Sequence, residues 1–117
     1  MLLRCMPLVM MVAVAAATAG TPSVDVTGEY TSNYDDVRLV QHGNYVTGTY
    51  VCCGGGTIEG RIYESHVIRY HWKQSGSEGE GVWEIKDSEH LEGTWGTGQS
   101  DSDGGDWNLE RKHALVN

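Results

Sequence analysis

The chain has 117 residues, with 8 Lys and Arg against 16 Asp and Glu and a net charge of −8 with His neutral. That length suits one domain, and the acidic balance argues against nucleic acid or an anionic membrane, both of which need a clustered basic face. Sixteen Gly stand beside 4 Trp and 6 Tyr, with no Phe, and a disordered chain would lack those aromatics.

Residues 1–19 read as a secretory signal peptide. Arg4 supplies the basic start, residues 6–17 the apolar run, and Ala17-Thr18-Ala19 a small-x-small cleavage site. The run is shorter than the roughly 20 residues of a bilayer span, although a retained anchor or a genuine first helix is the alternative. The expectation is a secreted protein, extracellular or periplasmic, whose residues 20–117 form a single small domain. No Asn-x-Ser/Thr acceptor is present, so no N-glycan is expected.

Period-two alternation then marks eight strands, each with one apolar and one mostly polar face. Val24, Val26, Gly28 and Tyr30 share the first inward face, and Val37, Leu39 and Gln41 the second. Val46, Gly48, Tyr50 and Cys52 make the third, Ile58, Gly60 and Ile62 the fourth. Ile68, Tyr70 and Trp72 follow, then Gly81, Trp83 and Ile85, then Leu91, Gly93 and Trp95, and last Trp107 and Leu109. Turn chemistry separates them at residues 42–44, 54–56, 64–65, 75–78, 87–88 and 98–105. A polar residue, a Gly, a variable residue and a large apolar one recur, as in Glu80-Gly81-Val82-Trp83 and Glu92-Gly93-Thr94-Trp95. Strands at this spacing read as a meander of hairpins. The predicted fold is all-β: an eight-stranded antiparallel up-and-down β-barrel following the signal peptide, since closure removes the exposed edges of an open sheet. A barrel of eight strands is just wide enough to fill itself with side chains or to hold one small ligand.

Cys52 and Cys53 are adjacent and precede Gly54-Gly55-Gly56. Three readings are open: two small apolar residues at a strand end, a vicinal disulfide or an interchain bond in an oxidising compartment, and metal or redox chemistry. Two thiols alone make a poor zinc site.

Gly28-x-Tyr30 on the first strand and Thr47-Gly48-Thr49-Tyr50 on the third resemble the avidin and streptavidin family. His71-Trp72-Lys73 and Thr94-Trp95 extend the resemblance, which spans residues 27–110. It implies a barrel whose mouth is lined by Tyr50, Trp72, Trp83 and Trp95 around a biotin-like ligand. Tyr50 would donate its hydroxyl to a ureido oxygen, and Ser32 and Asn33 would supply further donors. The pattern departs from the family at Tyr34-Asp35-Asp36, at Cys52 in place of a hydroxyl residue, and at Glu80-Gly81-Val82. No deep carboxylate stands in the last strand, where Arg111 and Lys112 occur. Fold carries over more safely than function.

The remaining constellations favour plain explanations. Glu29, Glu59, Glu84, Glu92 and Glu110 face outward beside Arg61, Arg69 and Lys73, which suits cross-strand charge pairing better than a glycosidase carboxylate pair. The His residues are scattered, and no nucleophile elbow is present. The 101–106 run resembles the start of a calcium loop but has Lys112 where the bidentate Glu would stand. No catalytic residue, cofactor or metal is expected. Two functions follow. The first is a secreted, non-enzymatic barrel holding a small apolar or cyclic ligand among Tyr and Trp side chains, with biotin bound weakly if at all. The second is a secreted interaction or inhibitor module on a filled, ligand-free barrel. Assembly into a homo-oligomer stays open in both.

Overall fold

Strand alternation becomes a barrel through its glycines and turns. The computed structural model describes residues 24–113, so the expected signal peptide lies outside the described residues. Eight antiparallel strands follow in chain order: β1 (Gly28–Ser32), β2 (Val37–His42), β3 (Tyr45–Tyr50), β4 (Gly56–Tyr63), β5 (Val67–Gln74), β6 (Ser77–Ile85), β7 (His90–Trp95) and β8 (Gly105–Arg111). Each pairs with the next, and β8 returns to β1 through Tyr30 opposite Arg111 and Ser32 opposite Leu109. The barrel is closed and its order is a meander, as the hairpin spacing predicts. Closure leaves no unpaired sheet edge.

Large inward aromatics stand opposite glycines on the neighbouring strand. Tyr50 pairs with Gly56, Tyr70 with Gly81, Trp72 with Gly79, and Trp83 and Trp107 both with Gly93. A methyl group at Gly56 would collide with the Tyr50 ring, and one at Gly81 with the Tyr70 ring. Absence of a side chain is therefore what lets the ring lie flat across the adjacent strand. The core consists of Val26, Tyr30, Leu39, Ile58, Ile68, Tyr70, Trp83, Leu91, Leu109 and their neighbours.

The turns at one end are tight. Gly43 and Asn44 join β2 to β3, with Gly43 at φ 63°. Glu64, Ser65 and His66 join β4 to β5; Glu64 and Ser65 are both in the left-handed region at φ 55° and 66°, and the His66 N–H donates back to the Tyr63 carbonyl at 3.1 Å. That end is closed. Val26 is fully buried beneath Tyr30, whose hydroxyl donates to the Val26 carbonyl at 2.7 Å. The Arg111 guanidinium lies over the Tyr30 ring at 5.2 Å and donates to the carbonyls of Asp25, Thr27 and Ser88. The opposite end carries the longer connections, at residues 33–36, 51–55 and 96–104, and the short one at Ser75 and Gly76.

Three expectations need correction. β3 ends at Tyr50, so Cys52 does not continue its inward face; Cys52–Gly54 form a 3-10 turn instead. The turn expected over 75–78 shrinks to Ser75 and Gly76, because Ser77 and Glu78 already pair with Gln74 and Lys73. The outward carboxylates are exposed as expected, but Glu29 pairs with Arg38 across the β1–β2 ladder and Glu84 with Lys86 two residues along the chain, while Arg69 is paired with Asp101.

Candidate functional site

The open end of the barrel holds a cavity of about 260 Å³. Three of the four strands running toward that end finish on or near aromatic residues: β3 on Tyr50, β5 near Trp72, and β7 on Trp95. With Tyr34 from the β1–β2 connection and Trp107 from β8, five aromatic side chains wall the space. Cys52, Cys53, Gln74, Ser77 and Thr97 complete the lining. No charged residue is among them, although the chain carries a net charge of −8.

The rings brace one another edge to face. Tyr34 stands at 90° to Trp95 and 89° to Trp107, with centroids 5.8 and 6.1 Å apart. Tyr50 meets Trp107 at 86°, and Trp72 meets Trp95 at 81°. Such offset pairs are the favoured aromatic geometry, worth about 0.5–1.5 kcal/mol each beyond the area they bury. Trp107 also packs on Tyr70 and on Trp83, and those two stack on each other at 4.1 Å. The wall of the cavity is thereby continuous with the packed core below it.

Polar tips fix most of the rings. Trp72 Nε1 donates to the Gly96 carbonyl at 2.8 Å, Trp83 Nε1 to the Trp107 carbonyl at 3.0 Å, and Trp107 Nε1 to Ser32 Oγ at 3.1 Å. Tyr70 donates to the Thr94 carbonyl at 3.0 Å, and Tyr50 to Gln74 Oε1 at 2.6 Å. Burial pushes the Tyr50 phenol up from its usual value and the Tyr70 phenol far up, so both hydroxyls stay protonated donors at neutral pH. Trp95 differs. Its Nε1 is buried and finds no acceptor, alone among buried side-chain nitrogens and oxygens of the described residues. Buried indole N–H groups normally have a partner.

Of the residues singled out in the sequence, Tyr50, Trp72 and Trp95 come together around the cavity. Trp83 does not line it; fully buried, it belongs to the layer beneath. Ser32 and Asn33 lie at the surface but spend their hydrogen bonds within the protein. Ser32 Oγ donates to the Asp35 carbonyl while accepting from Tyr34 N–H and Trp107 Nε1. The Asn33 amide donates to the Asp106 carbonyl and accepts from Asn108 N–H, so it staples the β1–β2 connection to β8. Cys52 and Cys53 are joined as a vicinal disulfide on the rim. Among the described residues no group of three or more His, Cys, Asp or Glu side chains is placed to hold a metal. Asp101 and Asp103 of the calcium-like run are turned to Arg69 and to the Thr97 N–H.

Neither a family model, nor a curated protein, nor a solved structure matches this chain. The site rests on its own geometry.

Sequence reasoning missed Tyr34, Gln74, Ser77, Thr97 and Trp107 as lining residues. Gln74 was within reach, since it follows Trp72 by two positions and so shares its face at the end of β5. Tyr34 and Thr97 sit in connections, where no periodicity tells which way a side chain turns.

Proposed function

We propose that this chain is a secreted, non-enzymatic binding barrel, avidin-like in architecture, that takes a small uncharged ring compound into its open end. The observation that carries the reading is an aromatic-walled cavity without a charged lining residue, with the Gln74 side chain in its lining. Ligand sites are typically apolar clefts with a few placed polar groups, and drug-sized ligands occupy about 300–1,000 Å³. A cavity of about 260 Å³ therefore suits one or two fused rings. Gln74 supports the same reading: its side-chain carbonyl accepts from the Tyr50 hydroxyl, which leaves the amide N–H groups as donors at the rim. The ligand would offer a carbonyl or ring-nitrogen acceptor and apolar faces, as 2-quinolone and benzimidazolone do.

Biotin is expected to bind in the micromolar range or more weakly. Ser32 and Asn33 spend their hydrogen bonds on the protein's own backbone and on Trp107, and each missing ligand hydrogen bond forfeits about 0.5–1.5 kcal/mol.

Calorimetry and thermal melts with 2-quinolone, benzimidazolone, biotin and naphthalene test the reading. At a ligand concentration tenfold above Kd the fold gains about 1.4 kcal/mol, a rise in Tm of roughly 5–10 °C for a domain of this size. The two carbonyl heterocycles should bind more tightly than naphthalene. Absence of heat and of stabilisation with every member would overturn the proposal in favour of an interaction module that works through its outer loops.

A further inference from the structure

The β3–β4 connection is built unlike the other turns. Val51 is exposed, the Cys52–Gly54 turn buries no side chain, and Cys53 holds a left-handed backbone at φ 67°. Gly54 and Gly55 follow at φ 89° and 90°, which glycine adopts without steric cost, whereas a residue with a side chain does not. Two backbone hydrogen bonds hold the turn, Gly55 N–H to the Cys52 carbonyl at 2.9 Å and Val51 N–H to the Asp36 carbonyl at 3.1 Å. A segment with so few buried contacts opens easily. The covalent link between Cys52 and Cys53 is what ties it: the bond closes a small ring that includes their shared peptide unit and restricts the backbone of both. Both residues line the cavity. Cys52 is half-buried against the core alongside Tyr34 and Trp95, while Cys53 is exposed.

We propose that the Cys52–Cys53 disulfide is a redox-operated rim of the binding cavity: oxidised, it holds the wall formed; reduced, it releases the turn and weakens ligand uptake. This regulation rests on the proposed ligand-binding reading of the same cavity. The reductant is a dithiol. One of its thiolates attacks Sγ of the exposed Cys53, the S–S bond breaks, and Cys52 leaves as a thiolate. The second thiolate of the reductant then attacks its own sulfur in the mixed disulfide, which releases Cys53 and leaves the reductant as a cyclic disulfide. Two electrons pass to the protein and both Cys thiolates take up protons from water. Cys53 then has no covalent reason to keep its left-handed backbone, the turn relaxes toward solvent, and a ligand must re-order it on binding. Such ordering is a cost subtracted from affinity.

Peptide-level mass mapping after alkylation, amide hydrogen exchange over residues 51–56 and calorimetry with 2-quinolone test this on the purified protein before and after dithiothreitol. Before reduction both cysteines should resist alkylation; afterwards both should alkylate, exchange at 51–56 should quicken, and Kd should rise about tenfold. A Cys52→Ser/Cys53→Ser double variant should bind like the reduced protein and ignore dithiothreitol. Alkylation of both cysteines without reductant would overturn the proposal, as would Kd values for the two forms that agree within about twofold. Equal binding by both forms leaves the ligand-binding reading intact, whereas no binding by either form overturns both.

Discussion

Trp83 and Trp95 are two tryptophans on adjacent strands with opposite tasks. Trp83 is fully buried, stacked on Tyr70 and hydrogen-bonded to the Trp107 carbonyl. Its truncation to Ala should cost about 3–5 kcal/mol, because the layer beneath the cavity cannot collapse onto the space left. Trp95 is only partly buried and already borders the cavity, so Trp95→Ala should cost clearly less in a denaturant melt while lowering 2-quinolone affinity more. The reverse order would place the cavity on the wrong side of the Trp layer. On the outer face, His71 lies between Glu80 at 3.1 Å and Glu78 at 2.8 Å. The hydrogen bond to Glu80, then that to Glu78, raises its pKa above the ordinary imidazole value. A raised folded-state pKa adds stability that is fully present below the ordinary value of about 6.5 and is lost as pH rises through the raised one. With the side chain 42% exposed, the gain is small, but the titration itself is readable. An NMR titration should place the His71 midpoint above that of a free imidazole and return it toward the ordinary value in Glu80→Gln; an unchanged midpoint in that variant would remove Glu80 as the cause.

At the scale of elements, the glycines decide how closely strands carry aromatic rings. Gly81→Ala puts a methyl group into the Tyr70 ring, and Tyr70 is held by its bond to the Thr94 carbonyl and its stack on Trp83. The ring cannot move freely, so the variant should lose about 1–3 kcal/mol by overpacking; a denaturant melt matching the parent would show that Tyr70 has room to shift. The strands and their inward faces were legible because each combines strict alternation with a Gly or turn signal at its end, as in Ile68, Tyr70 and Trp72 between Ser65 and Ser75. What the aromatics lean on was not legible. Tyr70 and Gly81 are neighbours through strand pairing rather than through sequence spacing, and the Gly lies one strand away from the ring it accommodates. The Cys52 region was misassigned for a related reason: alternation runs smoothly through Val46, Gly48 and Tyr50, and nothing in the residue types marks where the ladder stops.

For the whole molecule, meander order with closure gives two unlike ends. The short hairpins and Arg111 seal one, and the longer connections surround a cavity at the other. The existence of a barrel was readable from eight regularly spaced strands, but the site only in part. Tyr50, Trp72 and Trp95 reach it because they end strands that run the same way. Ser32 and Asn33 approach it in sequence yet are consumed by β1–β8 closure, a pairing between the two ends of the described chain that local pattern cannot reveal. Acidity is confined to the outside, so the uncharged interior is a property of the cavity and not of the composition. The central claim is that this cavity takes an uncharged ring compound among its aromatic walls. The four indole N–H signals in a proton–nitrogen NMR spectrum, followed while 2-quinolone is added, test it most directly. The Trp72 and Trp95 Nε1–H signals, whose rings line the cavity, should shift through the ring current of the bound heterocycle, with the Trp83 Nε1–H unmoved against the Trp107 carbonyl. Trp72 and Trp95 signals that both stay fixed under saturating 2-quinolone would contradict it.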